Sequence, residues 1–304
     1  MKNIKGELLL FLTAIIWGTS FVSQKLGMNY VEPFTFGAAR FLLGALILIP
    51  VILYFDNKNN EYNNDSNDKN NKFLKKDLFV GGTICGVSLF FGASLQQIGM
   101  IYTTAGKAGF ITALYIVLVP LFGLLTNKKI NKLTWIGVAL ATIGLYFLCV
   151  NENFTIQKGD VIVLAGTLFW AIQIIAVDSY ASKVSSLKLS FLQFMVAGFL
   201  SLICAFLFET PNLKTLVDCA GPILYTAIMV VGVAYTLQIL GQKTTPPAIA
   251  SIIMSMESLF AAISGAIFLN EVMNLREYFG CILMFAAVII TQLKTEENHS
   301  LKES

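Results

Sequence analysis

Two stretches decide the fold: Gly6–Trp17 reads GELLLFLTAIIW and Gly159–Trp170 reads GDVIVLAGTLFW. Each opens on a glycine and an acid, runs through apolar residues and closes on tryptophan, so one helical pattern is written twice, 153 residues apart. Working outward, apolar runs cover roughly 7–26, 33–55, 77–98, 103–125, 133–150, 159–178, 188–208, 218–240, 246–269 and 275–293. A helix needs about 20 such residues to cross the hydrocarbon of a bilayer. Ten transmembrane helices are therefore predicted, five in each half. An odd number per half makes the second half enter the membrane from the opposite side, which is the arrangement of an inverted repeat.

Composition agrees with a lipid solvent. Hydrophobic residues make up 56% of the chain and charged ones 13%, against about 25% charged in soluble domains. The net charge of +3 is small, which favours neither a nucleic-acid partner nor an anionic surface ligand. The apolar run after Met1-Lys2-Asn3-Ile4-Lys5 continues to Trp17 and Phe21 with no small-residue cleavage pattern, so it reads as the first span, not a removable leader.

The repeat recurs at a second place. Gln97 through Thr103-Thr104 matches Gln238 through Thr244-Thr245 at an offset of 141. The shortfall against 153 is explained by an insertion in the first half, the Asn-rich stretch Asp56–Lys76, which has too few apolar residues to bury itself and is predicted to be a flexible loop. The expected organisation is a five-helix unit over 1–150 containing the loop 56–76, a second over 151–293 and a polar tail over 294–304. Fifteen of the 21 Lys and Arg residues fall in segments facing one side and five in segments facing the other, with Arg40 inside a span. The positive-inside rule then predicts a multi-pass protein of the cytoplasmic membrane with both termini in the cytoplasm.

Several chemistries lack their parts. The five cysteines show no CxxC spacing and read as packing residues. The single histidine, His299, lies in the tail, which removes Ser/His catalysis and His-based metal binding from the core. Asp77, Asp160, Asp178 and Asp218 all sit at predicted helix ends, so intramembrane aspartyl chemistry is not supported. No metal, no cofactor, no enzymatic activity and no obligate protein partner are expected. No phosphate-binding loop is present, so a gradient would supply any energy.

The segments PFTFGAARFLLGALILIP (Pro33–Pro50), TTAGKAGFITALYIVLVPLFGLL (Thr103–Leu125) and PAIASIIMSMESLFAAISGAIFLNE (Pro247–Glu271) resemble the second, fourth and ninth spans of the drug/metabolite transporter superfamily, specifically its ten-helix EamA-type members. The resemblance covers nearly the whole chain. It implies an all-α basket of two inverted five-helix repeats around a cavity lined by spans 1, 3, 4, 6, 8 and 9. The activity it implies is secondary transport of small metabolites, often amino acids or related compounds and including drugs, usually outward. Two positions depart from the pattern: Glu257-Ser258 stands where relatives carry Glu-Pro, and Asn127-Lys128-Lys129 stands where many carry an acid at the end of the fourth span.

Within that frame, Glu257 is the sharpest candidate. It falls near the bilayer midplane, where an ionised carboxylate is costly and an acid is a functional hypothesis by default. It either couples transport to protons, binds a cationic group of the cargo, or locks the fourth and ninth helices together. Arg40 is a permanent charge inside the second span and meets either a substrate anion or structural partners. Lys107 lies at the extracellular start of the fourth span and reads as an interfacial or cavity-mouth charge. Trp17, Tyr115, Trp170 and Tyr235, with Gln97, Gln173 and Gln238, form the expected substrate-binding set, chosen from an inventory that also holds Gln24 and Gln96. Amides replace lost hydration and aromatic faces hold apolar or cationic portions of a cargo. Pro120 and Pro246-Pro247, on repeat-related spans, are where bent helices would flank a midplane site. An alternative cargo, a lipid-linked or nucleotide sugar, is favoured if Arg40 and Lys107 both face the cavity.

Overall fold

A computed structural model describes residues 4–60, 68–103, 105–125, 130–149, 156–269 and 275–293. The central part of the Asn-rich stretch, Asn127–Lys129, Asn270-Glu271 and the tail with His299 lie outside the described residues. The described residues are helical almost throughout and contain no strand. Eight helices among them are long and apolar enough to cross a membrane: Ile4–Gly27, Pro33–Asn57, Lys75–Tyr102, Lys107–Leu125, Lys158–Ala181, Ser186–Phe208, Ala220–Gln242 and Pro247–Ser264. At the predicted fifth and tenth spans stand the shorter apolar helices Lys132–Phe147 and Tyr278–Thr291.

Three of the long spans are not single α-helices. In chain order the elements are α1 (Ile4–Gly27), α2 (Pro33–Asn60), α3 (Asp68–Tyr102), α4 (Ala105–Ala113), α5 (Tyr115–Leu125), α6 (Lys132–Cys149), α7 (Lys158–Ala181) and α8 (Ser186–Phe208). They continue with α9 (Leu213–Asp218), α10 (Ala220–Tyr225), a π-helical segment (Thr226–Ala234), α11 (Tyr235–Gln242), α12 (Pro247–Met254), α13 (Glu257–Leu269) and α14 (Leu275–Leu293). The loop predicted over 56–76 is shorter than expected, because α2 runs on to Asn60 and α3 begins at Asp68. A helix already nucleated in the membrane extends at one hydrogen bond per residue, so even poor helix formers are carried along for a turn or two.

The helices pair in a pattern that is unchanged when each is exchanged for the one five spans away. α3 packs on α7 as α11 packs on α1; α1 packs on α13 as α7 packs on α4 and α5; α2 pairs with α8, and α6 with α14. The close approaches repeat as well. A Cβ on Gly159 would come within 2.6 Å of the Gly99 carbonyl oxygen, and one on Gly6 within 2.9 Å of the Gly241 carbonyl oxygen. These two glycines open the two stretches quoted first, and they let helix ends meet where any side chain would force them apart.

Contacts define two faces of the bundle. Gly6, Asp56, Tyr180, Lys188 and Thr244 meet at one, here the terminal face: Lys188 pairs with Asp56 at 2.9 Å, and Gly81 packs on Tyr180. Lys25, Tyr102, Asp160 and Glu209 mark the opposite face. There Glu209 accepts the Phe34 and Thr35 backbone N–H groups, each at 2.7 Å, capping the start of α2. Polarity is distributed as in a membrane protein: Leu53, Phe79, Phe206 and Ile289 are exposed, whereas Gln97, Gln173, Gln193 and Gln238 are buried. Cys85, Cys204 and Cys219 are free thiols, Cys85 and Cys219 fully enclosed.

Candidate functional site

The spans that break do so around one cavity. α4 stops at Ala113 and α5 starts at Tyr115; α12 stops at Met254 and α13 starts at Glu257. The second break needs no proline. Ser251 and Ser255 donate to the Ala248 and Ile252 carbonyls, both at 2.8 Å, and such back-bonding competes with the helix ladder and bends it. The backbone there tightens to i→i−3 bonds, Met256 N to Ile253 O at 3.2 Å and Ser258 N to Ser255 O at 3.2 Å. The span thus breaks although Glu257-Ser258 replaces Glu-Pro, and Glu257 becomes the first residue of a half-helix, where the positive end of the dipole favours a negative side chain. Pro247 instead opens α12, where its missing N–H costs nothing.

The cavity is small, with about 30 Å³ open to the centre of a water molecule, and is lined by Trp17, Ser20, Phe21, Gln24, Arg40, Gln96, Thr112, Tyr115, Trp170, Gln173, Ile174, Val230, Tyr235 and Glu257. Trp17 and Trp170, the tryptophans that close the two quoted stretches, converge on one ring. Tyr235 lies 5.0 Å from Trp17 at 57° and 6.3 Å from Trp170 at 15°, with Phe194 at 5.8 Å behind it. The π-helical segment ends just before Tyr235 and presents Val230 to the same space. Its wider turns seat against Gly44 of α2, where a Cβ would meet Val231 at 2.3 Å.

Trp17 Nε1 and Arg40 Nε are buried on this lining without a hydrogen-bond partner, and the buried Tyr115 hydroxyl and Glu257 carboxyl beside them interact with each other. Leaving such a group unsatisfied costs about 1–3 kcal/mol, so the cavity is suited to a ligand or water that meets them. Arg40 is 4% exposed and donates from Nη1 to Gln24 Oε1 at 3.1 Å, its guanidinium 4.8 Å from the Phe41 ring centroid and 5.3 Å from that of Phe36. Glu257 is likewise 4% exposed and lies beyond ion-pair range of Arg40. One buried charge of each sign thus faces a common space without direct pairing.

Of the residues singled out from the sequence, Trp17, Arg40, Tyr115, Trp170, Gln173, Tyr235 and Glu257 come together on this lining, and Gln97, Gln238 and Lys107 do not. Gln97 Nε2 donates to the Gln24 carbonyl at 3.1 Å, whereas its neighbour Gln96 faces the cavity and accepts from Trp170 Nε1 at 3.0 Å and Thr112 Oγ1 at 3.3 Å. Adjacent helical residues differ by about 100° in direction, and the pair Gln96-Gln97 carries no signal for the phase. Gln238 stands one layer behind, donating to Gln173 Oε1 at 3.0 Å. Lys107 pairs at 3.8 Å with Asp160, which also accepts from Thr103 Oγ1 and from Gln157 N. Asp160 is the third residue of α7, in a capping box with Gln157. Lys107 therefore belongs to the opposite-face junction, and the two-cation arrangement that would favour a lipid-linked or nucleotide-sugar cargo is not formed at the cavity. The fourth and ninth spans are joined by Ser258 Oγ, which donates to the Gly109 carbonyl at 3.0 Å, and Glu257 interacts with Tyr115 across the same two spans. Arg40 adds the second span to the six expected to line the cavity.

Known proteins carry the same pattern. The chain is 32% identical over 295 residues, 97% of its length and 88% of the relative's, to an uncharacterized transporter of Archaeoglobus fulgidus. It is 25% identical, over 93% of its length and 85% of the relative's, to the uncharacterized transporter YetK of Bacillus subtilis. A solved crystal structure superposes with a TM-score of 0.77 over 96% of this chain and 98% of that one, at 16% identity. The profile of the EamA-like transporter family matches twice, at residues 4–150 and 157–293. With an all-helical membrane fold around a polar cavity, and with both halves matched, this chain belongs to the EamA-like transporter family.

Proposed function

We propose that the protein exports a small polar metabolite, an amino acid or a related compound, across the cytoplasmic membrane by alternating access of two inverted five-helix halves, with Glu257 coupling export to proton entry. The observation that carries this reading is the convergence of four buried polar side chains, Trp17, Arg40, Tyr115 and Glu257, on one cavity. The exchange-related helix pairing supports two halves that rock against each other. A carboxylate at the start of a half-helix, beside the Tyr115 ring and away from any cation within ion-pair range, can carry a proton in one state and release it in another. Arg40, the amides of Gln24, Gln96 and Gln173, and the aromatic cluster on Tyr235 would hold the polar and apolar parts of the cargo.

The test is flux of a radiolabelled amino-acid mixture in proteoliposomes with an imposed pH gradient. The native chain should respond to the gradient, and Glu257→Gln should lose that response. Flux indifferent to pH in the native chain, together with normal flux in the variant, would remove the proton-coupling role.

A further inference from the structure

Behind the cavity, toward the terminal face, lies a second polar cluster that a packing role does not explain. Gln173 on α7, Gln193 on α8 and Gln238 on α11 are each 0% exposed. Gln173 Nε2 donates to Gln193 Oε1 at 3.3 Å, and Gln238 Nε2 to Gln173 Oε1 at 3.0 Å, which leaves Gln193 Nε2 with no partner. One turn on, Gln242 donates to the Ile174 carbonyl at 2.9 Å, and its Oε1 has no partner. At the helix ends the hydroxyls of Ser186 and Thr245 are also buried and unpartnered, beside the exposed Ser185 and Thr244. Gln173 itself lines the cavity. Unsatisfied polar atoms thus continue in steps from the cavity to within one residue of the terminal face.

An apolar seam would hold three helices together without the cost of burying amides. We propose that this column is the cytoplasmic access path of the transporter, closed in the state described and opened to water when the cavity turns to the cytoplasm, its amides handing polar cargo to Gln173. The proposal rests on the transport reading and on the cytoplasmic placement of the terminal face. The neighbouring Cys85, packed among Val177, Leu189 and Ile239, stays outside the path.

The experiment is labelling of Gln193→Cys in membrane vesicles by a membrane-impermeant maleimide, read residue by residue by mass spectrometry on the full chain. Should it fold poorly, the second variant is Ser190→Cys, at a buried hydroxyl one turn before Gln193 that accepts from Thr236 Oγ1 at 3.3 Å. The expected result is labelling at least tenfold faster when the reagent is on the cytoplasmic side than on the other, with native Cys85 unlabelled. Faster labelling from the extracellular side overturns the proposal, as does an inert thiol in a variant that still transports. Labelling of residue 193 together with Cys85 overturns it too, since that reports general loosening. Failure of the proton-coupled reading would appear instead as pH-indifferent flux and would leave the labelling pattern unchanged.

Discussion

Arg40 on α2 and Gln193 on α8 occupy matching places in the two halves, each followed by a phenylalanine, 153 residues apart. Arg40 bonds Gln24 of α1, which Gln97 of α3 also contacts; Gln193 bonds Gln173 of α7, which Gln238 of α11 also contacts. Two helix trios are thus fastened by the same scheme, one toward each face, and they differ chiefly in that one holds a permanent cation and the other is all amide. The backbone seat tolerates both, so the charge is a choice made on one side only. Its guanidinium is cushioned by Phe36 and Phe41 and still has an unpartnered Nε at the cavity, a position in which it can act on cargo as well as on neighbours.

The largest effect expected is from Gln193→Arg, which copies the cation into the amide trio where no carboxylate waits. An uncompensated buried charge costs about 3–5 kcal/mol, and the thermal midpoint of the purified protein should fall steeply; an unchanged midpoint would mean that the amide column already admits water. Next comes Arg40→Gln, which makes the trios alike. If the charge serves cargo, flux drops about tenfold or more, the worth of one hydrogen bond to a charged group, while the midpoint barely moves. A large loss of stability with unaltered flux per folded molecule would make the cation structural.

A second matched pair sharpens the comparison. Asp160 opens α7 with a lysine, a threonine and a backbone N–H as partners, whereas Glu7, at the same place in α1, is half-exposed and makes no hydrogen bond or ion pair among the described residues. Asp160→Asn should lower stability by about 1 kcal/mol, the usual value of such a cap. Glu7→Gln should stay within about 0.5 kcal/mol, as expected of a surface change. Equal effects of the two would mean that the opposite-face junction is no tighter than the terminal-face one.

The sequence was most informative where residues repeat. The Gly-to-Trp stretches announced helices, their doubling and two residues that meet at Tyr235, because period and landmark are written in residue identity. It was least informative where geometry depends on phase or on partners from distant helices. Gln96 and Gln97 look alike on paper and point about 100° apart. Lys107 read as a cavity-mouth charge because its partner, Asp160, lies 53 positions further along the chain. The break before Glu257 went unforeseen because proline was taken as the signal and two serines produce it. At the offset of 141 that aligns Gln97 with Gln238, Glu257 corresponds to Ile116, so an acid in one half stands where the other half has an aliphatic residue.

The π-helical segment in the eighth span has a mechanical consequence. Nine residues, Thr226–Ala234, are wound more loosely than the helix on either side. Rewinding one such turn to α geometry displaces the register by one residue and rotates everything after it by about 100°. Tyr235 follows it directly and Gln238 three residues later, one in the aromatic cluster and the other in the amide trio. A single change of winding would therefore swing a wall of the cavity and a member of the column in the same stroke, a clutch that engages both without bending the span.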